Sequence, residues 1–357
     1  MIAAAPTVSA SARFEPATAP RSLAATRLLV ASLAHGELTT RDARFSELAR
    51  LLRPGDVCVV NDAATLPASI FARTTRGEAM ELRLLGPPDV RGETDALLFG
   101  GGDWRTPTEH RPLPPRLEPG EEVHAGDLRA VVSSVRSGGR VARLRCTVAE
   151  QGPFARDAIL RAIYAAGSPV QYAHVRERLP LWEVQTVYAS EPWAAEMPSA
   201  GRPLDFATIA ALRTRGVEVV PLTHGAGLSS TGEPSLDASL PWAERYRIPE
   251  RTAEVVSRAE RVIAVGTSVV RALEACALRH GEIRPVGEET TDLRIDAHYQ
   301  LRAVRGLLTG MHDGTSSHAE LLAAFLPGPL LARVTGHALA AGYLGHEFGD
   351  SCLILRA

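Results

Sequence analysis

The sequence predicts an α/β protein, with one domain built on a mixed sheet and a second, small antiparallel β domain. Strand and helix patterns alternate after residue 200, which is typical of a parallel or mixed sheet with helices on its faces. Between about residues 69 and 150, polarity alternates without a helical period. The chain has 357 residues, more than the roughly 250–300 that one core usually serves, so two domains are expected.

The first strong strand pattern is the apolar run 57–60, which stops at Asn61 and Asp62. Asn61 is the only asparagine in the chain. Ligands of α/β sheets gather beyond the carboxyl ends of strands, so this pair is expected to contact a ribose hydroxyl or a base edge. The alternative is an Asx turn, in which both side chains bond their own backbone.

The segment 69–150 reads as a series of short strands. Residues 131–136 and 141–148 flank the sequence Ser-Gly-Gly-Arg at 137–140, which is the pattern of a hairpin. A loop rich in glycine and proline is expected from 100 to 120. These features predict a small antiparallel barrel or sandwich.

The remaining elements follow in order after residue 200. The predicted helices cover 206–215, 249–259 and 267–279, and the predicted strands cover 217–222, 262–265 and 351–355. Gly216 and Gly281 directly follow the ends of two of these helices, where glycine is the commonest residue.

Composition excludes several classes of protein. A net charge of −2 argues against a protein that coats nucleic acid, although a local arginine patch is compatible with it. All 39 basic residues are arginine. Schiff-base enzymes, pyridoxal-phosphate enzymes and P-loop nucleotide sites are therefore excluded, because each needs a lysine.

Cysteine spacing and the N-terminus bear on location. The four cysteines form no CxxC pair and are predicted to lie in the core. Residues 1–20 lack the basic start and unbroken apolar run of a signal peptide, and are expected to form a loose arm. No apolar run approaches about 18 residues. We therefore expect a cytoplasmic protein without a membrane span, with a monomer favoured.

The sharpest local signal lies at 261–274. A strand is expected to end at Gly266, with Thr267 or Ser268 capping the next helix. The free N–H groups and the positive end of the helix dipole would then form a site for an anion or carboxylate, reinforced by Arg271. The alternative is an ordinary strand, cap and helix.

A second candidate segment is the polar turn that contains His312, Asp313 and His318. Ser317 and Glu320 match a capping box at the start of the following helix. His312 is the better acid or base because it lies in the loop, whereas His318 is expected to be structural. The spacing matches no recognised metal motif, so no metal is expected.

Two further strand ends carry ionisable residues. His224 follows the predicted strand 217–222, and His346, Glu347 and Asp350 precede the last strand. Polar residues at several strand ends are expected where these ends line a single active site.

Five motifs, taken in order, resemble those of the S-adenosylmethionine:tRNA ribosyltransferase-isomerase family of the queuosine pathway. They are VVNDAATLPASIFAR at 59–73, VQTVYA at 184–189, PSAG at 198–201, RVIAVGTSVVRALE at 261–274 and FGDSCLIL at 348–355. The resemblance runs from about residue 27 to the C-terminus. Five motifs in the same order are much more specific than any one of them.

The resemblance implies a fold, a reaction and its partners. It implies a β-barrel, residues 69–150, inserted into an α/β catalytic domain of residues 21–68 and 151–357. The implied reaction transfers the ribosyl part of S-adenosylmethionine to a 7-aminomethyl-7-deazaguanine base in tRNA and rearranges it to an epoxycyclopentane. Adenine and methionine are released. S-adenosylmethionine is a co-substrate, and neither lysine nor a metal is required.

The strand ends and the resemblance together give the expected site. The expected catalytic residues are His312, Asp62 and His224. The residues expected to bind the donor are Asn61, Gly266, Thr267, Ser268 and Arg271. The residues expected to bind substrate are Tyr188, Ser199, Gly201, Ser316, Glu347 and Asp350. No metal ligand is expected.

Departures from the family pattern leave two alternatives for the function. The family's Ala-Gly-Leu-His-Phe is replaced at 200–206 by a sequence without histidine, and His224 is moved by one place. On a strand, such a shift turns a side chain to the other face. The first alternative is the same donor with a small-molecule acceptor, such as a nucleobase, or simple sulfonium cleavage. The second is a non-catalytic relative that binds RNA or a nucleoside.

Overall fold

The computed structural model describes residues 13–149, 155–313 and 317–356. The strands are β1 (Glu15–Pro16), β2 (Arg27–Ala34), β3 (Glu37–Arg44), β4 (Asp56–Asn61), β5 (Ala63–Thr65), β6 (Ser69–Thr74), β7 (Ala79–Leu84), β8 (Glu93–Gly100), β9 (Glu122–Ala125), β10 (Leu128–Arg136), β11 (Val141–Thr147), β12 (Gly167–Ser168), β13 (Glu191–Ala194), β14 (Glu218–His224), β15 (Glu244–Ile248), β16 (Arg261–Val265), β17 (Val286–Thr291), β18 (Gly306–Gly310), β19 (Leu344–Gly345) and β20 (Ser351–Arg356). The α-helices are α1 (Leu48–Leu51), α2 (Ala155–Ala166), α3 (Phe206–Thr214), α4 (Pro234–Asp237), α5 (Glu250–Ser257), α6 (Thr267–His280), α7 (Ser317–Leu322) and α8 (Gly328–Ala340).

A nine-stranded mixed sheet forms the larger part of the molecule. Its order is β17-β15-β14-β4-β16-β18-β20-β2-β3. Strands β14, β4, β16 and β18 are parallel neighbours, and β20 is antiparallel to β18. The carboxyl ends of the four parallel strands therefore meet at one edge, as the predicted α/β class requires.

Strand β4 shows why this sheet is covered on both faces. Val57 and Val59 pack in one core cluster with residues of α5 and α6, while Cys58 and Val60 pack in another with residues of α3. Successive side chains of a strand point to opposite faces, so a strand buried on both faces must be continuously apolar. The run 57–60 meets that condition.

The small β domain is a closed antiparallel barrel. Its strands follow the order β6-β7-β8-β11-β10-β9, and pairing of β6 with β9 closes the ring. The predicted hairpin is confirmed, with Arg136 opposite Val141 across the turn. Closure removes sheet edges, which selects the barrel over the sandwich.

Two boundaries differ from those expected. Ile159 and Ile163 of α2 pack in the core cluster of the barrel, and β12 pairs with β6, so the barrel unit extends beyond residue 150. Residues 1–12 of the expected loose arm lie outside the described residues. The part that is described is packed, because Phe14 is buried and β1 pairs with β19.

The predicted helix after β16 is confirmed as α6, but its cap is not the expected one. The N-cap is Gly266, with φ +96°, and no side chain caps the helix. Thr267 and Ser268 lie within the first turn instead. Gly281 ends the helix with φ +82°, a conformation that glycine adopts without strain.

The structure also bears on the predictions for the cysteines and for membrane-spanning helices. The four cysteines are free and buried, as predicted for core residues. Across the ranges described, the structure contains no helix that is both long and apolar enough to cross a membrane.

Candidate active site

A cavity of about 640 Å³ lies between the barrel and the carboxyl ends of the parallel strands. Thr108 and Glu109, from the barrel loop between β8 and β9, line one side of it. Val265 and Thr309, at the ends of β16 and β18, line another. The cavity thus occupies the edge of the sheet at which ligands bind in this class of fold.

The N-terminus of α6 forms one wall of this cavity. Gly266, Thr267, Ser268 and Arg271 all line it, as expected for the donor site. Arg271 Nη2 lies 2.7 Å from the Glu244 carboxylate, so its charge is already partly neutralised. Attraction of an anion therefore depends on the uncapped helix end together with this arginine.

A pair of histidines adjoins that wall. The ring centroids of His312 and His318 are 4.7 Å apart, and Thr309 Oγ1 lies 2.8 Å from His312 Nε2. Thr267 Oγ1 lies 3.5 Å from His318 Nδ1. Burial, and then the neighbouring imidazoles, hold the pKa of His312 well below its usual 6.5. At neutral pH its ring is uncharged and can accept a proton.

The structure places His318 in the cavity as well, although it was expected to be structural. Burial lowers its pKa, and the positive charge of Arg271 acts in the same direction. The histidine pair is therefore neutral and lies next to the helix end.

A third group on the cavity wall was missed by sequence reasoning. Tyr172 Oη donates a short hydrogen bond to Glu196, whose Oε1 also accepts from the Ser229 N–H at 3.0 Å. Burial raises the pKa of Glu196 to about 7. A carboxyl with such a pKa can give or take a proton near neutrality. The only sequence signal was its position two residues before the motif at 198–201.

Glu347 also lines the cavity, as expected of a substrate contact, but it has two unexpected neighbours. His174 Nε2 lies 2.7 Å from Glu347 Oε2, and the rings of His174 and His346 have centroids 4.4 Å apart. Burial opposes ionisation of Glu347, yet the hydrogen bond and charge of His174 lower its pKa. His174, from a loop that carried no motif, was not predicted.

Asn61 does not line the cavity. Its Oδ1 accepts hydrogen bonds from the N–H groups of His224 at 2.9 Å and Ala63 at 3.1 Å, and its Nδ2 donates to His224 O at 2.9 Å. The bond to Ala63 is the Asx-type contact named as the alternative. The side chain is 1% exposed. Its strongest hydrogen bonds are thus made within the fold, and the nearest cavity-lining group is Ser268 Oγ, 3.5 Å from its Nδ2.

The other two residues expected in catalysis also lie behind the wall. Asp62 accepts hydrogen bonds from Thr223 Oγ1 at 2.7 Å and Ser190 Oγ at 3.0 Å, and burial raises its pKa. His224 is fully buried, 3.4 Å from Glu244, and burial lowers its pKa to about 4. Neither residue lines the cavity, and both bond to neighbouring residues of the fold.

Tyr188 and Gly201 contact each other and not the cavity. Tyr188 Oη donates to Gly201 O at 3.2 Å, and a Cβ at position 201 would lie 2.0 Å from that hydroxyl. Glycine is therefore required for this close approach. Ser199, two residues earlier, does line the cavity.

Asp350 lies outside the main cavity, in the lining of a smaller adjoining pocket, and its carboxylate is bonded within the fold. Its carboxylate accepts hydrogen bonds from Arg21 Nη1 at 2.8 Å and from the N–H groups of Arg27 and Leu344, both at 2.9 Å. It thereby joins β2 to the turn before β20. Ser316 lies outside the described residues, as does the side chain of Ser317 in the predicted capping box.

Comparison with known proteins agrees with the motifs. A family model described as queuosine biosynthesis protein matches residues 11–354. The S-adenosylmethionine:tRNA ribosyltransferase-isomerase of Thermus thermophilus is 34% identical over 344 residues, 94% of each chain. The protein of the same name from Parvibaculum lavamentivorans is 35% identical, over 93% of this chain and 92% of its own.

Among solved structures, an S-adenosylmethionine tRNA ribosyltransferase from Thermotoga maritima is 23% identical, with a TM-score of 0.48, over 95% of this chain and 96% of its own. The match to the family model over almost the whole length, together with the identity of the relatives, settles the family. The chain belongs to the queuosine biosynthesis family of S-adenosylmethionine:tRNA ribosyltransferase-isomerases.

Proposed function

We propose that this protein transfers the ribosyl part of S-adenosylmethionine to a 7-aminomethyl-7-deazaguanine base in tRNA and isomerises it to an epoxycyclopentane. Adenine and methionine leave in this reaction. The observation that carries the proposal is the match to relatives of that name over 94% of the chain. The cavity at the strand ends provides the required kinds of group: an anion-binding helix end, neutral imidazoles and a carboxyl of raised pKa.

The donor is oriented by α6. Its carboxylate lies at the helix end formed by Gly266, Thr267 and Ser268, where N–H groups and the helix dipole favour an anion. Arg271 adds a second positive group one turn further on.

Two residues that line the cavity carry out the proton transfers. His312 is neutral, lines the cavity and removes a proton from the ribose. Glu196, protonated at and below neutral pH, supplies a proton to the departing adenine. Two groups with pKa values shifted in opposite directions give the base and acid that the reaction needs.

Asn61, Asp62 and His224 act by positioning. Asn61 fixes the backbone of His224, and His224 packs against the Glu244 carboxylate that pairs with Arg271. The Asp62 carboxylate accepts hydrogen bonds from the hydroxyls of Ser190 and of Thr223, the residue before His224. These residues support the donor wall, which is formed by Gly266, Thr267, Ser268 and Arg271, without contacting the donor.

The acceptor is tRNA, and the protein acts in the cytoplasm as a monomer. Purified protein incubated with S-adenosylmethionine and tRNA that carries the deazaguanine precursor should release adenine and methionine in equal amounts. A control with tRNA lacking the precursor base should release neither. Equal methionine release in both reactions, without free adenine, would instead indicate simple sulfonium cleavage.

A further inference from the structure

We propose that His174, His346 and Glu347 bind one divalent transition-metal ion, with Zn²⁺ the best fit, in the wall of the cavity. All three residues line the cavity. This site goes beyond the proposed reaction, which requires no metal, and it differs from the expectation of no metal drawn from the spacing of His312 and His318.

The donor set and distances favour such an ion. Each of the three residues offers one ligand atom, and these atoms lie within 4.8 Å of one another. Two imidazole nitrogens and one carboxylate oxygen are a ligand set that Zn²⁺ uses in catalytic sites. Ligand atoms around tetrahedral Zn²⁺ lie about 3.4 Å apart, given bonds of about 2.0–2.1 Å. Ion binding therefore requires the ligand atoms to move from separations of up to 4.8 Å to about 3.4 Å.

The turn between β19 and β20 is built to present two ligands together. His346 has φ +66°, a left-handed conformation that is uncommon for residues other than glycine. At Gly349 a Cβ would lie 2.4 Å from Leu344 O, so the turn closes tightly there. Asp350 fixes the same turn by accepting the Leu344 N–H. His346 and Glu347 are therefore held close together before an ion binds, so binding does not have to order this turn.

The surrounding charges favour a cation. Besides Glu347 itself, the Asp313 carboxylate interacts with His346. The positive charge of Arg13 acts on His346 in the opposite sense. Two carboxylates thus face one guanidinium.

The ion would replace the present contact between His174 and Glu347. Their hydrogen bond of 2.7 Å joins two groups that both become ligands.

The test uses the full-length protein after dialysis against a chelator. Titration with ZnCl₂ by calorimetry, with elemental analysis after desalting, should give one ion per chain. Replacement with Co²⁺ should give a visible absorption spectrum typical of a site with nitrogen ligands. His346→Asn and Glu347→Gln should each weaken binding at least tenfold. Asparagine is chosen because it tolerates positive φ, and glutamine because it keeps a hydrogen bond to His174.

Two controls make the result decisive. His337→Ala removes an exposed histidine that is paired with Asp42 far from the cavity, and it should leave binding unchanged. His312→Ala removes one neighbouring imidazole that is not among the three ligands, and it should also leave Zn²⁺ binding unchanged. Absence of saturable binding, or binding that survives both His346→Asn and Glu347→Gln, would overturn the proposal. Because no substrate is present, this outcome is independent of the ribosyl transfer reaction.

Discussion

Asn61 and His224 are joined by a reciprocal pair of hydrogen bonds: the Asn61 amide accepts from His224 N and donates to His224 O, both at 2.9 Å. The pair ties the ends of β4 and β14 together where backbone pairing between these strands stops. The only asparagine of the chain is therefore a link between strands. It holds His224 next to Glu244, which in turn pairs with Arg271 in the cavity wall.

Asn61→Ala should destabilise the protein by about 2–4 kcal/mol, because it leaves buried backbone groups of His224 and Ala63 without partners. Urea denaturation measures the effect. Ser190→Ala is the matched control, because it removes only one hydrogen bond to Asp62 and should cost less than about 1 kcal/mol. An Asn61→Ala variant with normal stability and weakened donor binding would restore the ligand contact predicted from sequence.

Arg271→Gln should raise the KM for S-adenosylmethionine about tenfold or more and change kcat less, because it removes a charged partner of the donor carboxylate. Glu244→Gln, which frees Arg271 from its ion pair, should not raise this KM. Arg279→Gln is the control on the same helix, since Arg279 is paired with Glu289 at the opposite end. Initial rates over a range of donor concentrations give all three values. Equal KM values for the Arg271 and Arg279 variants would contradict the donor assignment.

His312→Ala should lower kcat by about 100-fold or more, the usual contribution of a positioned base. Thr309→Val removes only the contact to His312 Nε2 and should have a smaller effect. Since the pKa of His312 is well below 6.5, protonation of its ring should reduce the rate only on the acid side of that value. Single-turnover adenine release measured against pH tests both points. Full activity of His312→Ala would remove its role as base.

Glu196→Gln should flatten the dependence of stability on pH. The pKa of Glu196 is about 7 in the folded protein against 4.5 normally, so the folded state keeps a proton that the unfolded chain loses. This group therefore lowers the unfolding free energy by about 1.4 kcal/mol per pH unit as pH rises from about 4.5 to 7. Urea denaturation at several pH values should show that slope reduced in Glu196→Gln and unchanged in the control Glu37→Gln, an exposed residue of β3. Identical slopes for wild type and Glu196→Gln would show that Glu196 titrates normally.

The sequence predicted the elements that carry strong local signals. Strand β16, Gly266 and helix α6 were correctly expected because an apolar run, a glycine and a helical period occur together. The barrel hairpin was predicted for a similar reason. The predicted cap of α6 was wrong. A threonine or serine caps a helix only from the position just before its first turn, and in α6 that position is Gly266.

The site was predicted only in part, since it depends on contacts distant in sequence. The donor wall and His312 lay within local motifs and do line the cavity. Glu196 and His174 lie in irregular segments, and only the fold brings them to the cavity. Conversely, the Asp62 carboxylate accepts from the hydroxyls of Thr223 and Ser190, and that of Asp350 accepts from backbone N–H groups, contacts that their residue types alone did not reveal.

Mass spectrometry of the tRNA tests the central claim most directly. Protein and S-adenosylmethionine are incubated with precursor tRNA and, separately, with free 7-aminomethyl-7-deazaguanine, and the products are digested to nucleosides. We expect an epoxycyclopentane adduct on the tRNA nucleoside, with adenine and methionine released in equal amounts, and little product from the free base. Adduct formed only on the free base, or donor binding without any turnover, would contradict it.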